Sequence, residues 1–221
     1  MKRLTIFTPT YNRAYRLRTL YESLTCQTTN SFKWLIVDDG STDGMEDLVR
    51  EFINENKIEI VYVMQKNMGK HAAHNMGNLL TDTELFLCVD SDDSLVPEAV
   101  EEILLIWENK RENDKICGII GPRSNARLDL WPKKALRGTL SGLYDKHGFI
   151  GDTLIVFRTD IIKRYFFPVF KDERFLSESV IYEEIDKDFE YIYTNKVLYI
   201  GEYLEDGLTN NYKALIRKNP I

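Results

Sequence analysis

Acidic residues follow a strongly apolar run near the middle of the chain. Asp90, Asp92 and Asp93 lie within four residues, directly after residues 85–89, LFLCV. A buried strand that ends in acids places them at the carboxyl edge of a sheet, where open α/β sheets bind ligands. Because carboxylates this close repel one another, a divalent cation is the expected partner, and such a cation often shares its remaining positions with substrate phosphates. The motif therefore predicts a metal-dependent site for a phosphorylated ligand.

The composition narrows the class of protein. The chain has 221 residues, 43% of them hydrophobic, and a formal net charge of −6, which suits a soluble domain with one substantial core. The acidic balance argues against a nucleic-acid binder that relies on a basic surface. Its cysteines, Cys26, Cys88 and Cys117, have no CxxC spacing, so we expect free thiols and no zinc site. No apolar run approaches about 20 residues and no signal peptide follows Met1, so we expect a cytoplasmic protein.

Strand-like and helix-like segments alternate in residues 1–121. Apolar periodicity predicts helices between successive strands, and these strands are expected at residues 4–8, 34–37, 58–64, 84–89 and 116–120. Helices are expected around residues 17–24, 48–53, 70–80 and 100–107. Thr42 or Asp43 is expected to cap the second helix. Such alternation indicates right-handed βαβ units and a largely parallel sheet flanked by helices.

The alternation ends after Gly121. Residues 122–150 are polar and basic, and we expect a long excursion or loop there, a type of segment that is often functional in compact domains. The rest predicts a mixed region, with a strand at 152–157, helices at 159–165 and 177–186, strand-like residues at 191–202, and a helix or its exit at 213–221.

Five motifs near the ends of these elements occur in the order known from one family. They are TPTYNR at 8–13, VDDGSTD at 37–43, NMGK at 67–70 followed by His74 and Asn75, DSDD at 90–93, and SES at 177–179. The chain thus resembles the inverting glycosyltransferases of the GT-A fold, often called family 2, well over residues 3–110 and more loosely beyond. The resemblance implies an α/β, Rossmann-like, mostly parallel sheet with a smaller mixed acceptor-side region. It also implies one domain over residues 1–221, with a nucleotide-sugar-binding half (1–121) and an acceptor-side half (122–221).

The resemblance implies transfer of a sugar from a nucleotide-sugar donor, commonly UDP-linked. It assigns the nucleoside to Asp38 and Asp39, with Asp39 preferred for the base, because carboxylates beyond a strand end can accept hydrogen bonds from a pyrimidine N–H or ribose hydroxyls. A helix-capping turn is the alternative for this segment, and Asp43 fits it best. Lys70 at a helix start suits a phosphate or ribose, with a solvated lysine as the alternative. The other donor contacts expected are Thr8, Pro9, Tyr11, Asn67, Asn75 and Asp90.

Asp90 and Asp92 match the family's DxD pair. The resemblance places Asp90 near the ribose and Asp92 on a Mn²⁺ or Mg²⁺ ion, both of which suit an all-oxygen site. Asp93 is expected to share that work or to cap the following turn. Many relatives add a late histidine ligand, whereas the last histidine here is His147. His74 is expected to pack or to hydrogen-bond rather than to bind zinc.

Inverting transfer needs a general base for the acceptor hydroxyl. The resemblance places this base at the start of a helix in the second half, where Glu178 is the candidate. Ser179 stands where the family usually has a second acid, and Glu183 and Glu184 remain alternatives.

The acceptor is expected, from the resemblance alone, to be a glycan or a lipid-linked molecule of cell-surface polysaccharide or glycolipid synthesis. Peripheral association with the inner face of the membrane is part of that expectation. Asp152 and Arg158 are weaker candidates for shaping the acceptor site.

Two other functions stay open. A sugar-1-phosphate nucleotidyltransferase begins with a similar α/β half but carries a glycine-rich loop after strand one, where residues 9–13 of this chain have no glycine. That lack also argues against a dinucleotide-binding dehydrogenase, and no GxxxxGK[ST] loop supports an ATPase. A non-catalytic nucleotide-sugar-binding domain would keep the fold without turnover.

Overall fold

The computed structural model describes residues 2–109, 113–134, 136–171 and 173–201. The strands are β1 (Leu4–Thr10), β2 (Phe32–Asp38), β3 (Ile60–Met64), β4 (Leu85–Cys88), β5 (Ser94–Leu95), β6 (Ile116–Pro122), β7 (Arg137–Gly138), β8 (Thr153–Arg158), β9 (Glu190–Tyr193) and β10 (Tyr199–Ile200). The helices are α1 (Ala14–Thr25), α2 (Met45–Glu55), α3 (Lys70–Leu80), α4 (Ala99–Glu108), α5 (Leu140–Asp145), α6 (Thr159–Ile162) and α7 (Ser179–Asp186), with a 3-10 helix at Leu128–Leu130. The predictions for residues 202 and 213–221 lie outside the described residues.

An eight-stranded sheet runs through the centre of the fold in the order β3-β2-β1-β4-β8-β6-β9-β7. The pairs β1–β2, β1–β4, β2–β3 and β6–β9 are parallel, so the predicted mostly parallel α/β sheet is confirmed. Strand β8 enters between β4 and β6 and runs antiparallel to both. The carboxyl ends of β1, β2, β4 and β6 therefore meet the start of β8 at one edge of the sheet.

Helices cover both faces of this sheet. Buried residues of α1, α2 and α4 belong to one apolar core, and those of α3, α5, α6 and α7 belong to the other. Strands β1, β2 and β6 are buried along their whole length, which explains their continuous apolar runs. Gly77 lets α3 approach β1 closely, because a Cβ there would lie 2.5 Å from the ring of Phe7. None of the helices in the described ranges is long and apolar enough to cross a membrane.

Of the two forms expected for segment 122–150, a long excursion or a loop, the structure shows an excursion with secondary structure of its own. It contains the 3-10 helix, β7 and α5, and it buries three large side chains, Trp131, Leu143 and Phe149. The rings of Trp131 and Phe149 meet edge to face, with their centroids 5.0 Å apart. These buried apolar side chains stabilise the structure of a segment whose overall composition is polar.

The capping prediction for α2 is wrong. The residue before α2 is Gly44, whose φ of 83° is left-handed, and no side chain caps this helix. Asp43 instead accepts a hydrogen bond from the backbone N–H of Ala14 at 2.8 Å and so stabilises the start of α1. Ile53, the last residue of the apolar pattern at 48–53 that predicts this helix, is 45% exposed.

His74 lies in α3 against the sheet and is 1% exposed. The rings of Phe7, Phe86 and Phe167 contact it edge-on, with centroids 5.2 to 5.5 Å away. Among the described residues, neither ring nitrogen has a hydrogen-bond partner. Burial is the main cause that lowers the pKa of His74 to about 4.

We expect His74 to make the protein acid-sensitive. The folded state keeps the ring neutral, whereas the unfolded chain protonates it below about pH 6.5, so stability falls as pH drops from 6.5 towards 4. The loss attributable to His74 reaches about 3 kcal/mol near pH 4. Urea unfolding at several pH values should show a smaller loss for His74→Leu and an unchanged one for His147→Gln, a substitution of an exposed histidine. Equal acid sensitivity in wild type and His74→Leu would contradict this assignment.

Candidate active site

The acid cluster lies where β4 ends. The backbone N–H of Val89 donates to the Phe7 carbonyl at 2.8 Å, which extends the β1–β4 pairing by one residue. A tight turn follows, in which the N–H of Asp93 donates to the Asp90 carbonyl at 3.1 Å. Within this turn, carboxylate oxygens of Asp90, Asp92 and Asp93 lie within 4.8 Å of one another. The structure thus brings the predicted acids together at the carboxyl edge of the sheet.

Lys70 connects this cluster to the predicted base. Its Nζ lies 2.8 Å from Asp90 Oδ1 and 2.9 Å from Glu178 Oε1. Burial works against the charge of Lys70, but Asp90 and Glu178 outweigh it and raise the pKa of Lys70 well above its ordinary value. Burial also opposes the charge of Asp90, yet Lys70 holds the pKa of Asp90 below its usual range. The ammonium group of Lys70, at the start of α3, therefore contacts acids at the end of β4 and at the start of α7.

The negative charge of Asp92 is less compensated by nearby positive charges than the negative charge of Asp90. Burial first, and then the charge of Asp90, raise the pKa of Asp92 above its ordinary value. A carboxylate held close to another carboxylate, with all-oxygen ligands available, suits a hard divalent cation. Asp90 and Asp92 therefore fit the Mn²⁺ or Mg²⁺ ion that the sequence predicts.

Asp93 lies in the acid cluster, and one of its carboxylate oxygens is bonded to protein partners. It is 3% exposed, and its Oδ2 accepts hydrogen bonds from Arg123 Nη2 at 2.6 Å and from the Tyr199 hydroxyl at 2.8 Å. The guanidinium of Arg123 also lies 4.4 Å from the centroid of the Tyr199 ring. Sequence reasoning missed both residues. The position of Arg123 directly after strand β6 was the available signal, whereas nothing in the sequence linked Tyr199 to the acids.

Asp38 closes the turn after β2. Its Oδ1 accepts from the N–H of Ser41 at 2.8 Å, and its Oδ2 accepts from the Tyr62 hydroxyl at 2.6 Å. The side chain is fully buried. The turn alternative considered for this segment therefore describes Asp38 well.

Asp39 holds the loop that leads into α3. Its Oδ1 accepts from Gln65 Nε2 at 2.8 Å and from the N–H of Met68 at 2.9 Å, and its Oδ2 accepts from the N–H of Gly69 at 2.7 Å. Residue 39 is 4% exposed. Asp39 thus lies at the predicted edge and positions the start of the helix that carries Lys70.

The remaining donor candidates divide into accessible and buried side chains. Tyr11 follows β1 at the same edge and is 48% exposed, and Asn67 is partly exposed. Thr8 and Pro9 are buried in β1, and Thr8 Oγ1 accepts from the indole N–H of Trp34 at 2.9 Å. The amide of Asn75 is bonded to both backbone groups of Phe167, at 2.8 and 2.9 Å.

The acceptor-side candidates lie at different edges. Asp152 directly precedes β8 at the edge of the acid cluster, 4.0 Å from Arg123. Arg158 ends β8 opposite Leu85 and binds Asp160 at 2.7 Å. Its predicted role is wrong, because the antiparallel course of β8 carries Arg158 to the opposite edge of the sheet.

The candidate base lies at the start of α7. Glu178 precedes the first residue of the helix, and its side chain is 39% exposed. Glu183 and Glu184 are exposed within α7, and Glu184 pairs with Lys187 at 2.6 Å. Among the three acids, Glu178 is the one that lies beside Lys70.

A sequence model of the family described as Glycosyl transferase family 2 matches residues 5–171. Glycosyltransferase GlyA of Streptococcus pneumoniae is 34% identical over 101 residues, which are 46% of this chain and 14% of that protein. The undecaprenyl-phosphate 4-deoxy-4-formamido-L-arabinose transferase of Proteus mirabilis is 25% identical over 150 residues, 66% of this chain and 44% of that protein. The matched segment thus spans less than half of either curated relative.

Solved structures share the fold at low sequence identity. TarS residues 1–349 of S. aureus, in complex with UDP-GlcNAc, superpose with a TM-score of 0.74 at 19% identity, covering 94% of this chain and 60% of that one. The mannosyltransferase PcManGT of Pyrobaculum calidifontis, in complex with GDP-Man and Mn²⁺, gives a TM-score of 0.71 at 17% identity, covering 93% and 58%. These likenesses confirm the GT-A arrangement of the sheet and helices.

We expect Asp39→Asn to destabilise the loop before α3. The substituted amide places an NH₂ group where a carboxylate oxygen now accepts a backbone hydrogen bond, which should cost about 1–3 kcal/mol. Urea unfolding measures this loss directly. Asp43→Asn is the matched control, since Asp43 accepts a single exposed backbone bond and should cost less. A smaller loss for Asp39→Asn than for Asp43→Asn would contradict the role given to Asp39.

Proposed function

The chain belongs to glycosyl transferase family 2, and on that premise we propose that it transfers a sugar, with inversion, from a nucleotide-sugar donor to an acceptor hydroxyl. The observation that carries this proposal is the position of Lys70 between Asp90 and Glu178. One edge of the sheet thereby holds a cation for a diphosphate, acids for a metal ion and a carboxylate for proton removal. The UDP-GlcNAc complex of TarS favours a UDP-sugar as the donor to try first.

Glu178 is the proposed general base. It accepts the proton of the acceptor hydroxyl while the hydroxyl oxygen bonds to the anomeric carbon. The bond from that carbon to the donor phosphate breaks on the opposite face, and the nucleoside diphosphate leaves with the electron pair. Attack and departure on opposite faces invert the configuration at the anomeric carbon.

The donor diphosphate is proposed to lie beside the start of α3. Lys70 supplies a positive charge there, and the first backbone N–H groups of the helix favour an anion. A Mn²⁺ or Mg²⁺ ion held by Asp92 and Asp90 would neutralise the charge that develops on the departing diphosphate. Binding of the diphosphate to Lys70 would also weaken its ion pair with Glu178, so that the carboxylate can accept a proton.

The nucleoside is proposed to bind along the loops after β1, β2 and β3, where Tyr11 and Asn67 are accessible. Asp38 and Asp39 hold the loops after β2 and β3 through the hydrogen bonds described above. Residues 1–121 are thus the proposed nucleotide-sugar half of a single domain, and residues 122–221 the acceptor-side half.

The acceptor is proposed to be a glycan or a lipid-linked molecule of cell-surface polysaccharide or glycolipid synthesis. The name of the Proteus mirabilis relative, a transferase acting with undecaprenyl phosphate, supports a lipid-linked class. The reaction would then take place at the inner face of the membrane, with the protein on the cytoplasmic side.

Glu178→Gln should abolish turnover but not donor binding. Loss of a general base lowers rates by about 100- to 10,000-fold, while the neutral amide keeps the size of the side chain. The rate of UDP release from UDP-sugars, with water or an added glycan as acceptor, measures turnover, and calorimetry measures UDP binding. Glu184→Gln is the matched control in the same helix and should keep the wild-type rate.

Two results would change this interpretation. A Glu178→Gln variant that turns over at the wild-type rate would remove Glu178 from the mechanism. A wild-type protein that binds UDP but turns over no donor would favour a non-catalytic nucleotide-sugar-binding domain.

UDP should bind more tightly in the presence of Mn²⁺, and Asp92→Ala should remove this gain. The reason is that Asp92, with Asp90, would hold the ion, and the ion would then offset the negative charge of the diphosphate. Titration calorimetry of UDP with and without Mn²⁺, on both proteins, tests the expectation. GDP and dTDP are the next ligands to titrate. If none of the three nucleotides binds in the presence of Mn²⁺, the donor assignment is contradicted.

A further inference from the structure

The hydroxyl of Tyr199 joins two parts of the acid cluster. It donates to Asp93 Oδ2 at 2.8 Å and accepts from the backbone N–H of Asp90 at 3.0 Å. Tyr199 belongs to β10, which pairs with β5, the short strand directly after the cluster. The residue is 3% exposed. A side chain from the far end of the described chain therefore fixes both ends of the acidic turn.

Arg123 completes this arrangement. Its guanidinium lies 4.4 Å from the centroid of the Tyr199 ring and 2.6 Å from Asp93 Oδ2. Its side chain is 14% exposed, and that of Asp93 is 3% exposed, so the two charges neutralise each other away from water. The missing Cβ of Gly201 makes room for this guanidinium, which a Cβ there would overlap.

These contacts determine which acids remain for a cation. Asp93 Oδ2 is bonded to both Arg123 and Tyr199, so this oxygen already has two protein donors. The N–H of Asp90 is bonded to Tyr199, which fixes the backbone from which Asp90 and Asp92 extend. Without the Tyr199 hydroxyl, this N–H loses its side-chain partner, and three neighbouring carboxylates repel one another across a looser turn. Groups that orient metal ligands typically change metal affinity about 10- to 100-fold when they are lost.

We propose that Tyr199 and Arg123 are positioning residues for the metal site, which fix the acidic turn through Asp93 Oδ2 and the Asp90 N–H and so hold Asp90 and Asp92 at a fixed spacing for the cation. This inference rests on the proposed function of Asp90 and Asp92. It adds two residues from outside the nucleotide-sugar half to the binding of the metal ion. One of them, Tyr199, also lies beyond the residues that the family model matches.

The test is Mn²⁺ affinity without any nucleotide, measured by the paramagnetic resonance signal of the free ion. Tyr199→Phe should weaken Mn²⁺ binding about 10- to 100-fold. Its affinity for UDP in the absence of metal should stay at the wild-type value. Tyr193→Phe is the matched control, because the Tyr193 hydroxyl donates to the Thr139 carbonyl at 2.6 Å, away from the acids. It should lose similar stability and keep the wild-type affinity for Mn²⁺.

Gly201→Ala is a second, independent variant in case Tyr199→Phe does not fold. Its Cβ should displace the Arg123 guanidinium from Asp93 and weaken Mn²⁺ binding in the same direction. A folded Tyr199→Phe protein, or a Gly201→Ala protein, with wild-type Mn²⁺ affinity would overturn the positioning role alone. A wild-type protein that binds no Mn²⁺, with or without UDP, would overturn the metal site itself and the positioning role with it.

Discussion

Placement of the Lys70 ammonium group between two carboxylates is the constraint on which the candidate site depends. The group can reach Asp90 and Glu178 only if α3 begins at the carboxyl edge of the sheet. Gly69 makes this start possible, since its φ of 94° favours glycine and a Cβ there would overlap the carbonyl of Arg174. Asp39 binds the N–H groups of Met68 and Gly69, and so fixes the same start from the neighbouring strand. Gly69 and Asp39, both of residue types common in turns, thus determine where the positive charge of Lys70 lies.

Compensation of charge distinguishes three neighbouring acids that look equivalent in sequence. Asp93 is paired with Arg123, and Asp90 is paired with Lys70, which it shares with Glu178. Asp92 is left beside Asp90 in a partly buried position, where its charged form is disfavoured. A cation at Asp92 would relieve both burial and repulsion. The distribution of basic side chains, rather than the acids alone, would therefore determine where a metal ion binds in a protein of net charge −6.

The sequence predicted the parallel part of the fold because buried strands and amphipathic helices leave periodic apolar patterns. The motifs then placed Asp90, Lys70 and Glu178 at one edge, where the structure brings them together. The position of β8 between β4 and β6 was not predictable, since strand order depends on pairing between distant segments, and this led to the wrong role for Arg158. Tyr199 was missed for a similar reason: its hydroxyl contacts residues 106 and 109 positions away. Asp38 and Asp39 are adjacent in sequence. Only their hydrogen bonds in the structure show that Asp38 holds the turn after β2 and that Asp39 holds the loop before α3.

The two halves of the chain depend on each other electrostatically. Arg123, which neutralises Asp93, lies just beyond residue 121, and Glu178, which shares Lys70 with Asp90, lies much further on. A buried carboxylate without a partner is strongly destabilising, so the first half alone would carry Asp93 at a large cost. Strand β8 adds to this dependence, because it supplies the antiparallel neighbour of β4 within the sheet. Residues 1–121 therefore hold the acids of the cluster and Lys70 but not all of the groups that balance their charges, and Arg123 and Glu178 supply those groups.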